Sequence, residues 1–394
     1  MAKNNQKTAL SLRAQNITPS ITLAITSKAK EMRDEGINVL GFGAGEPDFD
    51  TPEHIKKEAK KAIDEGFTKY TPAAGAVELR KAVGNEFEKE TGIGYDVSQI
   101  VISCGAKHSL CNLFQCILNE GDEVIIPSPY WVSYPEMVKM AGGIPVFVRG
   151  DEEDYFQLTM RNLAKTITPR TKAIIINSPC NPTGCIMGEK ILKEIAEFAI
   201  ENNIFVVSDE IYNRIVYGNT EAKSILTVCP SLKDLTIVIN GVSKSFSMTG
   251  WRIGYMAAPK PIASAVASYQ SHSTSNPTSI AQKAALAALN GGYGCVKEMV
   301  EEFKKRRDYM VDKLNSIPGI SCTKPGGAFY VFPNISRFGM KSTDFASNLL
   351  KNDHVAVVPG SAFGWDTHVR LSYAVSMEVI KEGLDRVEKY VKAL

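Results

Sequence analysis

The chain has 394 residues, enough for a large hydrophobic core and, at this length, usually for two domains. Hydrophobic residues make up 44% of it and charged residues 22%, the proportions of an ordinary soluble globular protein. With 45 basic and 43 acidic residues the formal net charge is only +2, which argues against the basic surface of a nucleic-acid or membrane binder. We therefore expect neither nucleic acid nor a membrane as a partner.

Three features that the sequence lacks narrow the class of protein further. The longest apolar runs are about as long as a strand, well below the roughly 20 residues of a membrane-spanning helix. Residues 1–16 lack the apolar core of a signal peptide, so we expect a cytoplasmic location. The eight cysteines include no C-x-x-C pair and the five histidines are scattered, so we expect reduced thiols and no metal site.

The N-terminal part is predicted to hold an arm up to about Thr18 and then a helix from Ile21 to Glu35. Alternating glycines at 41, 43 and 45 suit a backbone that approaches a small group, although a plain glycine-rich turn explains them nearly as well. A helix is predicted from Thr51 to about Gly66. The loop after it carries Tyr70, which we expect to be exposed.

Between Gln99 and Arg149 the signals for strands and helices alternate. A strand at 100–103 runs through a glycine turn into a helix at 107–118, whose free backbone N–H groups offer an anion site. Strands are predicted at 124–126 and 144–148, with a helix at 135–140 between them. There is no G-x-G-x-x-G at the first turn, which argues against a nicotinamide dehydrogenase.

Polar residues follow three more predicted strands, at 173–176, 204–208 and 236–239. The residues that follow these strands are, in order, Asn181, Asp209 with Tyr212, and Lys244. In an open α/β sheet, ligands bind outside the carboxyl ends of the strands, so these side chains can converge. Each has a plain alternative, since Asn-Pro-Thr-Gly is a good turn and an aspartate after a strand is a common helix cap. Their occurrence on successive elements favours a shared site.

Lys244 lies in the stretch TIVINGVSKSFSMTGWRIG at residues 236–254. Most lysines are solvated surface charges. Here, however, Gly241 and Gly250 permit tight turns, Ser243 flanks the amine, and Arg252 can bind an anion with two hydrogen bonds. An amine nucleophile beside an anion site predicts a cofactor that is a phosphorylated carbonyl compound.

The same stretch resembles the lysine signature of class I aminotransferases, in which S-K-S-F-x-M-T-G-W-R-I-G recurs. The resemblance extends from about Ser11 to the C-terminus and is greatest for bacterial aspartate aminotransferases, which use pyridoxal 5'-phosphate and have fold type I. It implies an α/β fold with a mostly parallel mixed sheet flanked by helices. Residues 51–295 would form a large cofactor-binding domain, and residues 1–50 and 296–394 a smaller α+β domain.

The resemblance also implies roles for individual residues. Lys244 would form a Schiff base with the cofactor aldehyde and then move a proton between substrate and cofactor. Asp209 would pair with the pyridinium nitrogen, while Asn181 and Tyr212 would donate to the phenolic oxygen. Further cofactor contacts would come from Arg252, Gly105, Ala106, Lys107, Ser243, Trp131 stacked on the ring, and Tyr70 of a second subunit. The protein would thus be a homodimer with shared active sites.

For the substrates, an amino acid and a 2-oxo acid, the resemblance implies that Arg370 binds the α-carboxylate. Gly45, Trp131 and Asn181 would complete this pocket, and Lys107 would lie near a distal carboxylate. We therefore expect transfer of the amino group of aspartate, or of a related amino acid, to 2-oxoglutarate.

Two departures from the family pattern qualify this expectation. Gly241 stands where many members have a phosphate-binding serine, so Ser243 or another donor would take its place. Thr18 stands where enzymes that transaminate prephenate tend to have a basic residue, which argues against that activity without excluding it.

The alternatives differ in the reaction or in the class of protein. One is another reaction with the same cofactor, such as β-elimination, decarboxylation, or aromatic or prephenate transamination, because a fold does not fix a function. A transcription regulator would need a DNA-binding module, for which the segment before Val39 is too short. An inactive homologue is disfavoured because every residue that the reaction needs is present.

Overall fold

The computed structural model describes residues 10–150 and 152–394. The predicted N-terminal arm thus lies partly outside the described residues. The strands are β1 (Leu40–Gly41), β2 (Ile100–Ser103), β3 (Glu123–Ser128), β4 (Ile144–Arg149), β5 (Thr171–Asn177), β6 (Phe205–Asp209), β7 (Thr236–Gly241), β8 (Gly254–Ala257), β9 (Tyr330–Val331), β10 (Val355–Ala356), β11 (Val358–Pro359) and β12 (Val369–Ser372). The α-helices are α1 (Leu12–Gln15), α2 (Ile21–Asp34), α3 (Glu53–Asp64), α4 (Val77–Thr91), α5 (Ala106–Ile117), α6 (Ser133–Met140), α7 (Met160–Leu163), α8 (Glu189–Glu201), α9 (Ile225–Val228), α10 (Lys260–Ser273), α11 (Ser279–Asn290), α12 (Gly294–Ser316), α13 (Ser342–Asp353) and α14 (Met377–Lys392).

Seven strands form one sheet in the order β2-β8-β7-β6-β5-β3-β4. Neighbouring strands run parallel from β7 to β4, whereas β8 is antiparallel to both β2 and β7. The prediction of a mostly parallel mixed sheet is therefore confirmed. The parallel arrangement places the carboxyl ends of β5, β6 and β7 side by side at one edge of the sheet.

Both faces of this sheet are buried, which explains why its strands are apolar throughout. Along β5, Ile174 and Ile176 belong to one core cluster and Ala173 and Ile175 to the other, as the two-residue period of a strand requires. Helices α4, α8 and α11 cover the first face, and α5, α6 and α10 the second. Complete burial of each isoleucine contributes about 1.5–3 kcal/mol, so the sheet is a rigid support for the loops at its edge.

Two smaller sheets are built from the ends of the chain. β1 pairs in parallel with β10, with Leu40 opposite Val355, and β12 lies between β11 and β9 in antiparallel pairing. The N-terminal segment thus joins the C-terminal part, which is consistent with the predicted grouping of residues 1–50 with 296–394. The division into two domains with those boundaries stays a prediction.

Most predicted elements end within a few residues of the observed ones. Helices α4, α8, α10 and α11 were not predicted, and neither was strand β8. Its first residue, Gly254, crosses the start of α5 so closely that a Cβ atom there would lie 2.1 Å from the backbone nitrogen of Ala106. The strand is short and follows the arginine of the lysine motif, so its sequence resembles a loop. The apolar run 326–332 forms a strand only at Tyr330–Val331. No helix in the described part of the chain is long and apolar enough to cross a membrane.

Candidate active site

A cleft of about 460 Å³ opens at the carboxyl ends of β5, β6 and β7. Its volume is within the range of small-molecule and cofactor sites. The loops after these strands line it on one side, and segments of the smaller sheets and of α2 on the other. Its lining residues are Thr22, Leu23, Thr26, Gly43, Ala44, Gly45, Glu46, Ala106, Lys107, Trp131, Tyr134, Asn177, Asn181, Asp209, Ile211, Tyr212, Ser243, Lys244, Thr249, Arg252, Tyr330 and Arg370.

Lys244 lies three residues after β7, and its Nζ donates a hydrogen bond to the carbonyl oxygen of Gly45. Burial lowers the pKa of this amine to about 8, an effect that the carboxylate of Glu46 partly opposes and that Arg370 and Arg252 reinforce. A lysine with a lowered pKa has a neutral, nucleophilic fraction near neutral pH. The surroundings of Lys244 therefore favour covalent chemistry with a carbonyl group.

Asp209 ends β6 and is only 3% exposed. Its Oδ2 accepts a hydrogen bond of 2.6 Å from the hydroxyl of Tyr134, and its Oδ1 accepts one of 3.2 Å from the backbone N–H of Ile211. Burial raises the pKa of this carboxyl to about 6, although both donors and Lys244 act in the opposite direction. A buried carboxylate of this kind suits a cationic ring nitrogen, whose charge would compensate for the desolvation.

Arg370, on β12, is 3% exposed and brings a positive charge into the cleft. One Nη donates to the side-chain oxygen of Asn181 at 2.9 Å and the other to the carbonyl oxygen of Gly43 at 2.8 Å. Its Nε has no partner among the described residues. Since no carboxylate of the chain pairs with it in the hydrogen bonds described, this buried cation suits an anionic ligand.

The hydroxyl of Tyr212 lies 2.8 Å from that of Tyr330. Tyr212 belongs to the loop after β6 and Tyr330 to β9, so this pair joins the large sheet to a smaller one. The guanidinium of Arg370 lies over the Tyr330 ring at 4.5 Å. Tyr330 therefore contacts both the hydroxyl group of Tyr212 and the buried cation.

The start of α5 and Arg252 form a second positively charged corner. Gly105 has a φ of +90° and lies so close to Arg252 that a Cβ atom would be 2.5 Å from an Nη atom. The N–H groups of Ala106 and Lys107, at the first turn of α5, have no acceptor within the helix. Arg252 is held by the carbonyl oxygens of Thr249 and Cys104 at 2.9 and 3.2 Å. Free N–H groups, a helix N-terminus and a guanidinium together suit a phosphate group.

Trp131 and Lys107 lie side by side at the cleft. The Nζ of Lys107 is 4.9 Å from the centre of the Trp131 ring, and this ring packs edge-on against Tyr134. Burial, and to a lesser extent Arg252, lowers the pKa of Lys107. The cleft thus contains a flat aromatic wall with a cation beside it.

The cleft brings together all but two of the residues predicted for the site. Gly105 lies behind Arg252 and does not line the cleft, and Tyr70 lies outside it with 90% of its surface exposed. Gly241 also lies outside the cleft, whereas Ser243 lines it. A Cβ at Gly241 would lie 3.0 Å from the Cα of Gly254, so the contact between β7 and β8 accounts for this glycine.

The sequence analysis missed Tyr134, Tyr330 and Glu46. The only local indication of Tyr134 was its position three residues after Trp131, at the start of a helix. The only local indication of Tyr330 was its position at the end of the G-G-A-F-Y stretch. Glu46 accepts a hydrogen bond of 2.8 Å from the hydroxyl of Thr249. Among the described residues, no group of three His, Cys, Asp or Glu side chains could hold a metal ion.

The site combines a partly buried amine, a buried carboxylate, a hydroxyl and amide pair, and a corner for phosphate at the edge of a mixed seven-stranded sheet. This donor set fits pyridoxal 5'-phosphate group by group, and with the fold it defines an enzyme of fold type I that depends on this cofactor. The sequence model of the family described as "Aminotransferase class I and II" matches residues 37–387. The chain belongs to this family.

Relatives and solved structures agree with this assignment. The chain is 50% identical to an aspartate aminotransferase of Geobacillus stearothermophilus, with 98% of this chain and 99% of the relative covered. It is 48% identical to a probable aspartate/prephenate aminotransferase of Aquifex aeolicus, with 98% and 99% covered. The crystal structure of an aspartate aminotransferase from Rhizobium meliloti superposes with a TM-score of 0.94 at 41% identity, covering 98% of this chain and 99% of that one. An aspartate aminotransferase structure from Thermus thermophilus with maleate gives 0.93 at 43% identity, covering 97% and 99%.

Proposed function

We propose that this aminotransferase takes the amino group of aspartate, or of a related amino acid, and transfers it to 2-oxoglutarate. The observation that carries this proposal is that one cleft holds two cationic side chains beyond those assigned to the phosphate and to proton transfer, the buried Arg370 and Lys107 beside Trp131. A substrate with two carboxylates matches two cations, and the relatives named above act on aspartate by name. A substrate with a single carboxylate would leave one of them without a counter-ion.

The residues that would hold the cofactor fall into three groups. Arg252, Ser243 and the N–H groups of Ala106 and Lys107 would bind the phosphate, with Gly105 allowing the close approach of Arg252. Asp209 would hold the proton of the ring nitrogen, and Asn181 and Tyr212 would donate to the phenolic oxygen. Trp131 would form the wall against the ring.

When bound, pyridoxal phosphate supplies an aldehyde that takes up the amino group and a ring that withdraws electrons from the substrate. Lys244 would take a proton at Nζ from the α-carbon of the donor and pass it to the cofactor carbon that carried the aldehyde, and it would move a proton in the opposite direction when 2-oxoglutarate is aminated. Its lowered pKa of about 8 lets it serve as a base near neutral pH. Asp209, as a carboxylate, would stabilise the positive charge of a protonated ring nitrogen.

Arg370 would orient the donor through its α-carboxylate, with Gly45 and Asn181 beside it. Asn181 already accepts a hydrogen bond from Arg370, so carboxylate binding and the contact with the cofactor would share this residue. Lys107 would bind the distal carboxylate of aspartate or glutamate. Both Lys107, beside Trp131, and Arg370 line the cleft.

We propose that the active enzyme is a homodimer in which Tyr70 of a second copy reaches the phosphate corner. The support is that Tyr70 is 90% exposed and lies outside the cleft of its own chain. Sedimentation of the purified protein would test the dimer, and a Tyr70→Phe variant with unchanged cofactor affinity would contradict the shared site. We also propose a cytoplasmic location, since all eight cysteines are free thiols.

The decisive experiment is a panel of amino donors with 2-oxoglutarate as acceptor, after the visible spectrum has established the cofactor. Aspartate and glutamate should give kcat/KM values well above those of alanine or phenylalanine. Equal rates for alanine and aspartate would contradict the role of Lys107. Prephenate is included as a second acceptor because of the Aquifex relative, and we expect it to be a poor one because Thr18 replaces a basic residue.

A further inference from the structure

We propose that Tyr330 is a positioning residue that couples the carboxylate site at Arg370 to the cofactor donor Tyr212 and thereby tunes Lys244. This inference rests on the proposed function, since it assigns a role within the same cleft. It concerns a residue that the sequence analysis did not single out and that contributes no charge. Its basis is that Tyr330 contacts both Tyr212, the proposed donor to the cofactor, and Arg370, the proposed ligand of the substrate carboxylate.

Tyr330 is held in a fixed position by its surroundings. It is fully buried on β9, at 0% exposure, and its ring packs against Phe329 at 4.7 Å and edge-on against Tyr212 at 5.9 Å. A Cβ atom at Gly45 would lie 3.1 Å from its hydroxyl oxygen. The hydroxyl therefore lies beside the same glycine whose carbonyl oxygen accepts from Lys244.

The hydrogen bond between the two tyrosines has a defined direction once the cofactor is bound. Tyr212 has a single hydroxyl proton, and in the proposed function it donates this proton to the phenolic oxygen. The 2.8 Å contact then requires that Tyr330 donates and that the oxygen of Tyr212 accepts. A donor that itself accepts a hydrogen bond becomes a stronger donor, so Tyr330 strengthens the bond from Tyr212.

A stronger hydrogen bond from Tyr212 stabilises the negative charge on the phenolic oxygen of the cofactor. This oxygen then attracts a proton less strongly. The nitrogen of Lys244 bound to the cofactor shares that proton, so Tyr330 lowers the pKa of this nitrogen in the loaded enzyme. The ring of Tyr330 also carries the guanidinium of Arg370 at 4.5 Å. A carboxylate that draws Arg370 toward itself therefore changes the surroundings of the same hydroxyl pair.

The other charged groups around the amine would stay in place when this hydroxyl is removed. Lys244 is faced by Glu46 from the glycine segment, by Arg370 from β12, by Arg252 from its own loop and by Asp209 from β6. None of the hydrogen bonds described for these four groups is made to Tyr330. The substitution Tyr330→Phe thus isolates the hydroxyl and keeps the ring beneath Arg370.

The test is a pH titration of the visible absorbance of the enzyme loaded with pyridoxal phosphate, for the wild type and Tyr330→Phe. We expect the transition of the variant to lie higher by about half a pH unit or more. The matched control is Tyr373→Phe, a buried tyrosine whose hydroxyl donates to the carbonyl oxygen of Ala328 at 3.1 Å and does not line the cleft. Its titration should coincide with that of the wild type.

A double-mutant cycle with Tyr212→Phe separates this role from general packing. If Tyr330 acts through Tyr212, Tyr330→Phe should add no shift when Tyr212 is already phenylalanine. The cofactor Kd, measured by calorimetry, should rise in Tyr330→Phe and stay unchanged in Tyr373→Phe. Should Tyr330→Phe not fold, Gly45→Ala serves instead, because its Cβ presses on the Tyr330 hydroxyl and should raise the titration too.

The outcomes distinguish this inference from the proposed function. A visible band whose titration is the same in the wild type and in Tyr330→Phe overturns the role of Tyr330 and leaves the aminotransferase intact. An additive shift in the double mutant also overturns it. Failure of the wild type to develop any visible band with pyridoxal phosphate contradicts the proposed function itself.

Discussion

The buried carboxyl of Asp209 shows how single residues set the chemistry of the cleft. Burial favours its neutral form, and the hydroxyl of Tyr134, 2.6 Å away, favours the charged form. Because a protonated ring nitrogen needs a charged partner, the cofactor should bind more weakly as the pH falls through about 6. Tyr134 extends the pH range in which the carboxylate is available.

We expect Tyr134→Phe to raise the pKa of Asp209 further, since one of its stabilising donors is lost. The Kd for pyridoxal phosphate should then increase by roughly tenfold near pH 6.5 and by less near pH 8.5. Equilibrium titrations of the apoenzyme at the two pH values would measure this. A Kd that is unchanged at the lower pH would show that Tyr134 does not act through Asp209.

A second expectation at this scale concerns Arg370→Lys. Lysine keeps the charge but loses the planar pair of N–H groups that a carboxylate binds, so KM for aspartate should rise roughly tenfold or more. The kcat should change less, because in the proposed function Lys244, not Arg370, moves the proton. Steady-state kinetics with aspartate measures both values, and an unchanged KM would refute the binding role.

Single site residues could be predicted from the sequence where they belong to a short motif of neighbouring residues. Asp209 directly follows the predicted strand 204–208 and Lys244 lies in the turn after the predicted strand 236–239, so their convergence follows from the sheet; Arg252 was predicted from its place in the lysine motif. Tyr134 and Tyr330 were not predictable in this way. Their partners Asp209 and Tyr212 lie 75 and 118 residues away, and nothing in the local sequence reports such contacts.

At the scale of elements, the turn from β2 into α5 creates the corner where we propose that the phosphate binds. Gly105 has a φ of +90° and a Cβ atom there would clash with Arg252. Its conformation and its close contact both require the absence of a side chain. The turn was predictable as a glycine turn before a helix, whereas its contact with Arg252 required the antiparallel β8, which the sequence did not indicate.

We expect Gly105→Ala to weaken cofactor binding strongly, because the new methyl group displaces Arg252 and the N–H groups of α5. The matched control is Gly121→Ala, at a φ of +86° with no atom within 4 Å of the new Cβ. Both variants should lose about 1 kcal/mol of stability from backbone strain. Only Gly105→Ala should increase the Kd for pyridoxal phosphate, and a similar increase in both would contradict a specific role of this turn.

At the scale of the whole molecule, the buried His368 links the segment after β4, an edge strand of the large sheet, to the small sheet that contains β12. Glu152, in the segment after β4, accepts hydrogen bonds from His368 at 3.0 Å and from Asn334 at 2.8 Å. His368 stacks on Phe332 and lies two residues before Arg370. This junction holds β12, the strand that carries Arg370, against the segment after β4.

Burial lowers the pKa of His368 to about 4, with Arg149 acting in the same direction and Glu152 opposing it. In the unfolded chain its pKa is about 6.5, so between these values the unfolded state binds the proton and the folded state does not. The stabilisation is complete above pH 6.5 and is lost as the pH falls toward 4. His368→Gln should therefore reduce the fall in the free energy of unfolding over this window, by up to about 3 kcal/mol.

Urea unfolding of the wild type and of His368→Gln at about pH 7.5 and about pH 4.5 measures this difference. Other acidic and histidine groups also titrate in this window, but they are common to both proteins and cancel in the comparison. The same fall in both proteins would mean that His368 is not the group responsible. The burial of His368 beside Glu152 could not be predicted from the sequence, because the five histidines are scattered along the chain without a recognisable pattern.

The most direct test of the central claim is the half-reaction with aspartate alone, without an acceptor. When the enzyme loaded with pyridoxal phosphate is mixed with aspartate, its visible band should disappear as one equivalent of oxaloacetate is formed, and 2-oxoglutarate should restore it. Lys244→Ala, which lacks the base, should show no such conversion on the same time scale. A wild-type band that persists with excess aspartate, or oxaloacetate formed at the same rate without Lys244, would contradict the account.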